Sequence, residues 1–225
     1  MIPVPARFRD RFTAGRELGD ALAAYAGRDD VCVLGLPRGG VPVAYEVARR
    51  LRAPLDSYAV VKLGVPGHEE LAMGALAVDG TCVRDERVIA ATGVTHDEFE
   101  SARLRAMREV ARREALYRPQ RTPPDVRDRV AIVVDDGLAT GATMRATIAA
   151  LRAQHPARIV VAVPVAPPET CSELRHLADE VVALHEPTIF HSVGTHYDDF
   201  TQTSDEDVRR LLERAAAPPR GTPLA

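Results

Sequence analysis

The stretch VAIVVDDGLATGAT, Val130 to Thr143, sets two adjacent aspartates at the end of an apolar run and follows them with a loop of Thr, Gly and Ala. Ionised carboxylates are strong hydrogen-bond acceptors, so Asp135 and Asp136 suit a metal ion or sugar hydroxyls. The loop suits a different group. Its backbone N–H groups, the Thr140 and Thr143 hydroxyls and the start of the helix MRATIAALRA would together take a phosphate. Two carboxylates would repel a lone phosphate, so they must face something else. A ligand with a phosphate at one end and a vicinal diol nearby satisfies both halves, which describes a ribose 5-phosphate. The loop is not a Walker A motif, since no Gly-Lys-Ser/Thr follows. Nor is it G-x-G-x-x-G, since Gly137 and Gly141 stand four apart. The plainer alternative is an acidic pair that merely caps the next turn.

Three other stretches carry residues suited to chemistry. In GLPRGG, Gly35 to Gly40, Arg38 sits among flexible residues that bring a guanidinium and close-approaching amides onto an anion. An ordinary turn with a solvated arginine is the other reading. VVKLGVPGHEELAMGAL places Lys62 at an expected strand end and Glu69 and Glu70 in a Gly/Pro loop, where a glutamate can serve as an acid or base. EPTIFHSVGTHYDDF holds Phe190, read either as a stacking surface or as a core aromatic. His191 and His196 lack metal-ligand spacing, and no G-x-S-x-G is present, so neither a protein-bound metal nor a serine hydrolase is expected.

These residues need a scaffold, and the apolar runs supply one. VCVLGL, SYAVVKL, VAIVV, RIVVAVPV and EVVAL read as buried strands alternating with helical stretches, and GALAVDGTCV reads as a hairpin turning at Asp79-Gly80. That alternation predicts an α/β fold with a doubly wound parallel sheet, whose ligands bind at the carboxyl ends of the strands. Thr95 to Arg118 breaks the rhythm. It opens with a capping box, Thr95 and Glu98, and continues with Phe99, Ala102, Ala106 and Val110 at helical spacing. Between Asp97 and Arg118, six arginines face five acids, with Glu109/Arg113 and Glu114/Arg118 at i,i+4. This predicts an inserted helix with a solvated, salt-bridged face, serving as a cap or a dimer element.

Bulk properties narrow the class. The 225 residues are 46% hydrophobic and 27% charged with a formal charge of −3, which gives no electrostatic case for nucleic acid or an acidic membrane. Three scattered cysteines, Cys32, Cys82 and Cys171, point to a reducing cytoplasm rather than a disulfide framework. No stretch is apolar enough to serve as a signal peptide or membrane span. One domain over 1–217 is expected, followed by a disordered tail, 218–225.

VVDDGLATGATM resembles the phosphoribosyl pyrophosphate (PRPP) motif of type I phosphoribosyltransferases. Its LATG form is closest to adenine and uracil phosphoribosyltransferases. The resemblance implies a type I phosphoribosyltransferase-like fold with a small hood, placed at 185–204. It implies that Asp135 and Asp136 hold the ribose hydroxyls and that Ala139, Thr140, Gly141, Ala142 and Thr143 cradle the 5-phosphate. Hypoxanthine-guanine enzymes carry a base-contacting acid where Ala139 stands, so this chain departs from that pattern. Pro37, Arg38, Gly39 and Gly40 match the pyrophosphate loop, often built on a cis peptide, here by position Pro37–Arg38. Lys62 would offset charge on the departing pyrophosphate, the region around Glu69 matches the mobile catalytic loop, and Phe190 before Val193-Gly194 matches the base-stacking aromatic of the hood. The implied reaction displaces pyrophosphate from PRPP by a nitrogen acceptor, a nucleobase foremost. Mg²⁺ would be carried mainly by PRPP, and a homodimer is a family expectation. A PRPP- or nucleotide-sensing regulatory protein of the same fold is the principal rival. A receiver- or dehalogenase-type acid pocket is a weaker one, because its nucleophile motif is D-x-D and these aspartates are adjacent.

Overall fold

The computed structural model describes residues 7–117 and 124–216. In chain order the strands are β1 (Val31–Gly35), β2 (Leu55–Ser57), β3 (Val60–Val65), β4 (His68–Ala77), β5 (Cys82–Arg84), β6 (Val130–Val134), β7 (Arg158–Val165) and β8 (Glu180–His185). The helices are α1 (Arg11–Ala21), α2 (Gly40–Leu51), α3 (Glu86–Thr92), α4 (His96–Tyr117), α5 (Ala142–Arg152), α6 (Pro168–Arg175) and α7 (Asp205–Ala216).

Five strands form one parallel sheet in the order β2-β1-β6-β7-β8. Both faces of it are buried, which is why its strands read as unbroken apolar runs. In β6, Ala131 and Val133 pack on one side while Val130, Ile132 and Val134 pack on the other. The second side also takes Leu18 of α1, Val43 and Val47 of α2, and Val208 and Leu212 of α7. The first takes Phe99 and Ala106 of α4, Ile148 of α5 and Leu174 of α6. The chain moves outward from β1 to β2, then returns to β6 and winds the other way. That reversal between β1 and β6 opens a crevice at their carboxyl ends, where such sheets bind ligands.

The run SYAVVKL is not one strand. Its first part ends β2 in the parallel sheet. After a turn at Tyr58-Ala59, its second part begins β3 in a separate antiparallel sheet, β3-β4-β5. Tyr58 is fully buried at the junction, and its N–H donates to Gly35 O, so burial continues across the break and hides it from hydropathy. Two placements change with this. Lys62 lies within β3 rather than at a strand end, and Glu69 and Glu70 lie within β4 rather than in a loop. β3 and β4 pair from Val60↔Ala77 to Val65↔His68, leaving Pro66 and Gly67 as the turn. Backbone pairing has taken over a segment whose Gly and Pro content suggested a loop.

α4 follows its predicted course. The Glu98 carboxylate accepts from Thr95 N–H at 2.8 Å while Thr95 Oγ1 accepts from Glu98 N–H at 3.3 Å, completing the capping box. Glu109 pairs with both Arg112 and Arg113; Arg118, the partner expected for Glu114, lies outside the described residues, as does the tail. At its far end Tyr117 crosses to the second core and donates its hydroxyl to Asp205 at the start of α7. α1, α3 and α7 were not anticipated from sequence. Among the described residues no helix is long and apolar enough to cross a membrane.

Ile132 is fully buried at the centre of β6. Ile132→Ala should therefore cost about 2–5 kcal/mol of stability. Urea unfolding would measure it, and a loss no larger than a surface substitution gives would contradict this placement of the strand.

Candidate active site

β6 ends at Val134, buried on both sides, and delivers Asp135 and Asp136 into the crevice beside β1. The two acids are held differently. Asp135 Oδ1 accepts from the N–H of Asp136 at 2.9 Å. Asp136 Oδ2 accepts from Arg11 Nε at 2.8 Å, and the two side chains are only 14% and 10% exposed. Arg11 Nη1 donates to Thr201 O at 2.8 Å, and its Cζ stands 3.9 Å above the centre of the Phe200 ring. The Tyr197 hydroxyl donates to Asp136 O at 2.6 Å.

Burial raises the Asp135 carboxyl well above the ordinary aspartate range, and the charge of Asp136 adds to this. Burial also raises Asp136, while the charge and hydrogen bond of Arg11 act in the opposite direction. The pair thus concentrates acceptor capacity at one point, with Arg11 as the cation set against Asp136.

The Pro37–Gly40 loop leaves β1 and packs directly on these acids. Its Pro37–Arg38 peptide is cis. A Cβ on Gly40 would stand 2.6 Å from Val134 O and 2.8 Å from Asp135 Cα, and one on Gly39 would fall on the Asp136 carboxylate. Only glycine permits this approach. Arg38, just before these glycines, is exposed, and its charge is felt by Tyr117, whose hydroxyl is raised first by burial and then by its bond to Asp205.

After the acids the chain forms the Thr/Gly loop. Gly141 has φ +69° and opens α5, whose first N–H groups have no partner within the helix. Ala139, Thr140 and Thr143 are exposed around this helix start. Thr170 Oγ1 donates to Ala139 O at 2.8 Å, and Arg145 donates to Thr140 O at 2.8 Å while pairing with Glu173 at 3.0 Å. The loop's carbonyls are thereby turned toward α5 and α6. A helix start of this kind is suited to an anion.

The structure therefore packs Gly39 and Gly40 of the Pro37–Gly40 loop onto Asp135 and Asp136, with Ala139–Thr143 following at the start of α5. Lys62 and Glu69 line a groove of about 230 Å³ with Arg105 and Glu109 of α4. Phe190 is half-buried, with His196 stacked on it at 5.5 Å. Sequence reasoning missed Arg11, Tyr197, Thr170 and Arg145. Arg145 stands near the motif, but the other three make contacts across 31 to 125 residues, and no local spacing marks them.

Comparison with known proteins agrees with this geometry. A family model described as a phosphoribosyl transferase domain matches residues 12–199. Two curated proteins, "Putative phosphoribosyl transferase MT0597" and "Putative phosphoribosyl transferase Rv0571c", come from two strains of Mycobacterium tuberculosis. Each is 44% identical over 208 residues, covering 92% of this chain and 47% of the relative. The chain thus spans about half the length of these curated relatives. Among solved structures, that of TT1426 from Thermus thermophilus superposes with a TM-score of 0.86 at 43% identity, covering 94% of this chain and 100% of that one. With its parallel sheet, its acid pair and a family match over most of its length, the chain belongs to the phosphoribosyl transferase domain family.

Proposed function

We propose that the protein is a PRPP-dependent phosphoribosyltransferase, moving the 5-phosphoribosyl group to a nitrogen acceptor with release of pyrophosphate. One observation carries this reading: the buried acid pair lies between a glycine-paved anion loop and a Thr/Gly loop at a helix start. Those three parts match the three parts of PRPP. Ala139–Thr143 would take the 5-phosphate, Asp135 and Asp136 the ribose hydroxyls, and Pro37–Gly40 with Arg38 the pyrophosphate.

In the reaction the anomeric C–O bond to pyrophosphate breaks and a C–N bond to the acceptor forms, and the acceptor's proton is given up. Positive charge develops on the ribose and negative charge on the leaving group. Catalysis is then mainly positioning and charge stabilisation, with Arg38 and the loop amides meeting the leaving pyrophosphate. Among the described residues no three His, Cys, Asp or Glu side chains converge on a metal site. Mg²⁺ would be carried chiefly on the phosphate oxygens of PRPP, where it would offset their charge. A nucleobase is the acceptor class to screen first. Cys32, Cys82 and Cys171 are free thiols, which supports a cytoplasmic setting.

The placement of Lys62 and Glu69 against α4 favours a second reading, in which the same site binds PRPP as a sensor without turnover. Pyrophosphate release across a panel of nucleobases separates the two. Tight PRPP binding with no release from any acceptor would select the sensor.

PRPP with Mg²⁺, at about a hundred times its dissociation constant, should stabilise the fold by about 2.7 kcal/mol. In thermal-shift titrations ribose 5-phosphate, phosphate and pyrophosphate should each give less, and the Asp135→Asn/Asp136→Asn variant should lose the PRPP shift. A folded protein with no PRPP-specific shift would end the proposal. The single change Asp135→Asn has a second consequence. Because the folded-state pKa of Asp135 is raised, its contribution to stability is present at low pH and lost as pH rises through that value. Without ligand, Asp135→Asn should melt higher than wild type at alkaline pH, and the gap should close toward pH ~4. A variant that falls progressively below wild type as pH rises would show instead that the ionised carboxylate stabilises the empty fold.

A further inference from the structure

Arg11 is 9% exposed, although arginine is rarely buried without partners. Its guanidinium has three: Asp136 from β6, the Thr201 carbonyl, and the face of Phe200. Asp10 caps α1 by accepting from Thr13 N–H, which fixes the helix start that carries Arg11. The two acids are consequently unequal. Asp136 is tied to a cation, whereas among the described residues Asp135 accepts from a backbone N–H.

The inequality bears on the proposed reaction, because two adjacent carboxylates resist being ionised together. The charged and titratable groups around Asp136 are Asp135 from its own strand end, Arg11 from α1, and the Tyr197 hydroxyl from the segment after β8. Asp199 from that same segment also feels Arg11. Arg11 is the group in this set that favours the ionised acid. It also holds two residues of the segment after β8, and Tyr197 of that segment holds the Asp136 carbonyl.

Resting on the PRPP reading above, we infer that Arg11 is a positioning residue of the ribose site. It holds Asp136 as an oriented carboxylate against the Gly39–Gly40 loop, and through Thr201 and Phe200 it ties that acid to the segment after β8. An N-terminal helix outside the acid-pair motif thereby sets how well the motif accepts ribose hydroxyls.

The test is PRPP affinity, with Mg²⁺ present, measured calorimetrically from about pH 5 to pH 9 for wild type, Arg11→Gln and Arg11→Lys. Losing the cation should move the acid limb of binding upward. Arg11→Gln should bind about tenfold more weakly than wild type near the limb for each unit of displacement and recover at alkaline pH. Arg11→Lys, which keeps the charge, should keep the wild-type limb. A merely structural role would weaken binding equally at all pH values. An Arg11→Gln limb that coincides with wild type therefore overturns the inference, whether or not overall affinity falls. Carbon-13 NMR titration of the wild-type aspartate carboxyls decides the matter should Arg11→Gln fail to fold. With Asp136 assigned by its absence in Asp136→Asn, it should titrate below Asp135, and the reverse order would overturn the inference. Failure of the wild type to bind PRPP at all would strike the proposed function instead, and the carboxyl titration would still judge Arg11.

Discussion

Asp135 and Asp136 leave the end of a strand that is buried on both faces, so two carboxylates stand side by side where water is scarce. Neither can swing away, because β6 is paired on one edge with β1 and on the other with β7. Their repulsion must be met locally, and much of the surrounding structure does so. Asp136 N–H turns onto Asp135, Arg11 reaches in from α1, and the loop after β1 carries glycine where its backbone passes the acids. On the proposed reading, a ligand rich in hydroxyl donors and flanked by phosphates completes what these groups begin.

The same constraint explains why distant parts of the chain converge. Phe8 forms a bridge with Tyr197, and its N–H donates to His196 O, so the N-terminal segment is laid along the segment after β8. Arg11 follows three residues later, aimed at Asp136. On the opposite side α4 runs from the antiparallel sheet to α7 and joins the two cores at Tyr117 and Asp205. Its solvated arginine face is as the sequence suggested. Its apolar stripe serves to bind the second sheet to the first, and its end comes within reach of the Arg38 charge.

The parts legible in sequence are those whose logic is local. β1, β6, β7 and β8 announced themselves as apolar runs, α5 by the helical stretch MRATIAALRA after the loop, and the acid pair and Thr/Gly loop by adjacency alone. The capping box at Thr95 marked α4 for the same reason. Where logic is long-range the sequence was silent: the ion pair between Arg11 and Asp136 spans 125 positions, and Arg11 stands one residue before the span that the family model matches. SYAVVKL misled because burial does not distinguish one sheet from two. GVPGHEEL misled because Gly and Pro mark a tight hairpin turn as readily as a loop. For α7 a signal existed and went unread, since Ser204 and Asp207 exchange bonds as a capping box does.

Rigidity is unevenly distributed around the crevice, and this bears on what the site selects. The groups proposed for ribose and phosphates hang on strand ends and a helix start, all backed by core. Residues 186–192, which include Phe190, the aromatic that the family resemblance matches to base stacking, belong to no helix or strand. They lead into Tyr197, Phe200 and Thr201, which are seated on Asp136 and Arg11. Scaffold-held parts tolerate little change, whereas an irregular segment can vary while its anchor stays. On the proposed reading, PRPP recognition is therefore the fixed half of the function and acceptor choice the adjustable half. The two halves meet at one joint, the Arg11–Asp136 pair, so an acceptor that displaces the segment after β8 must also disturb the acid that holds the ribose.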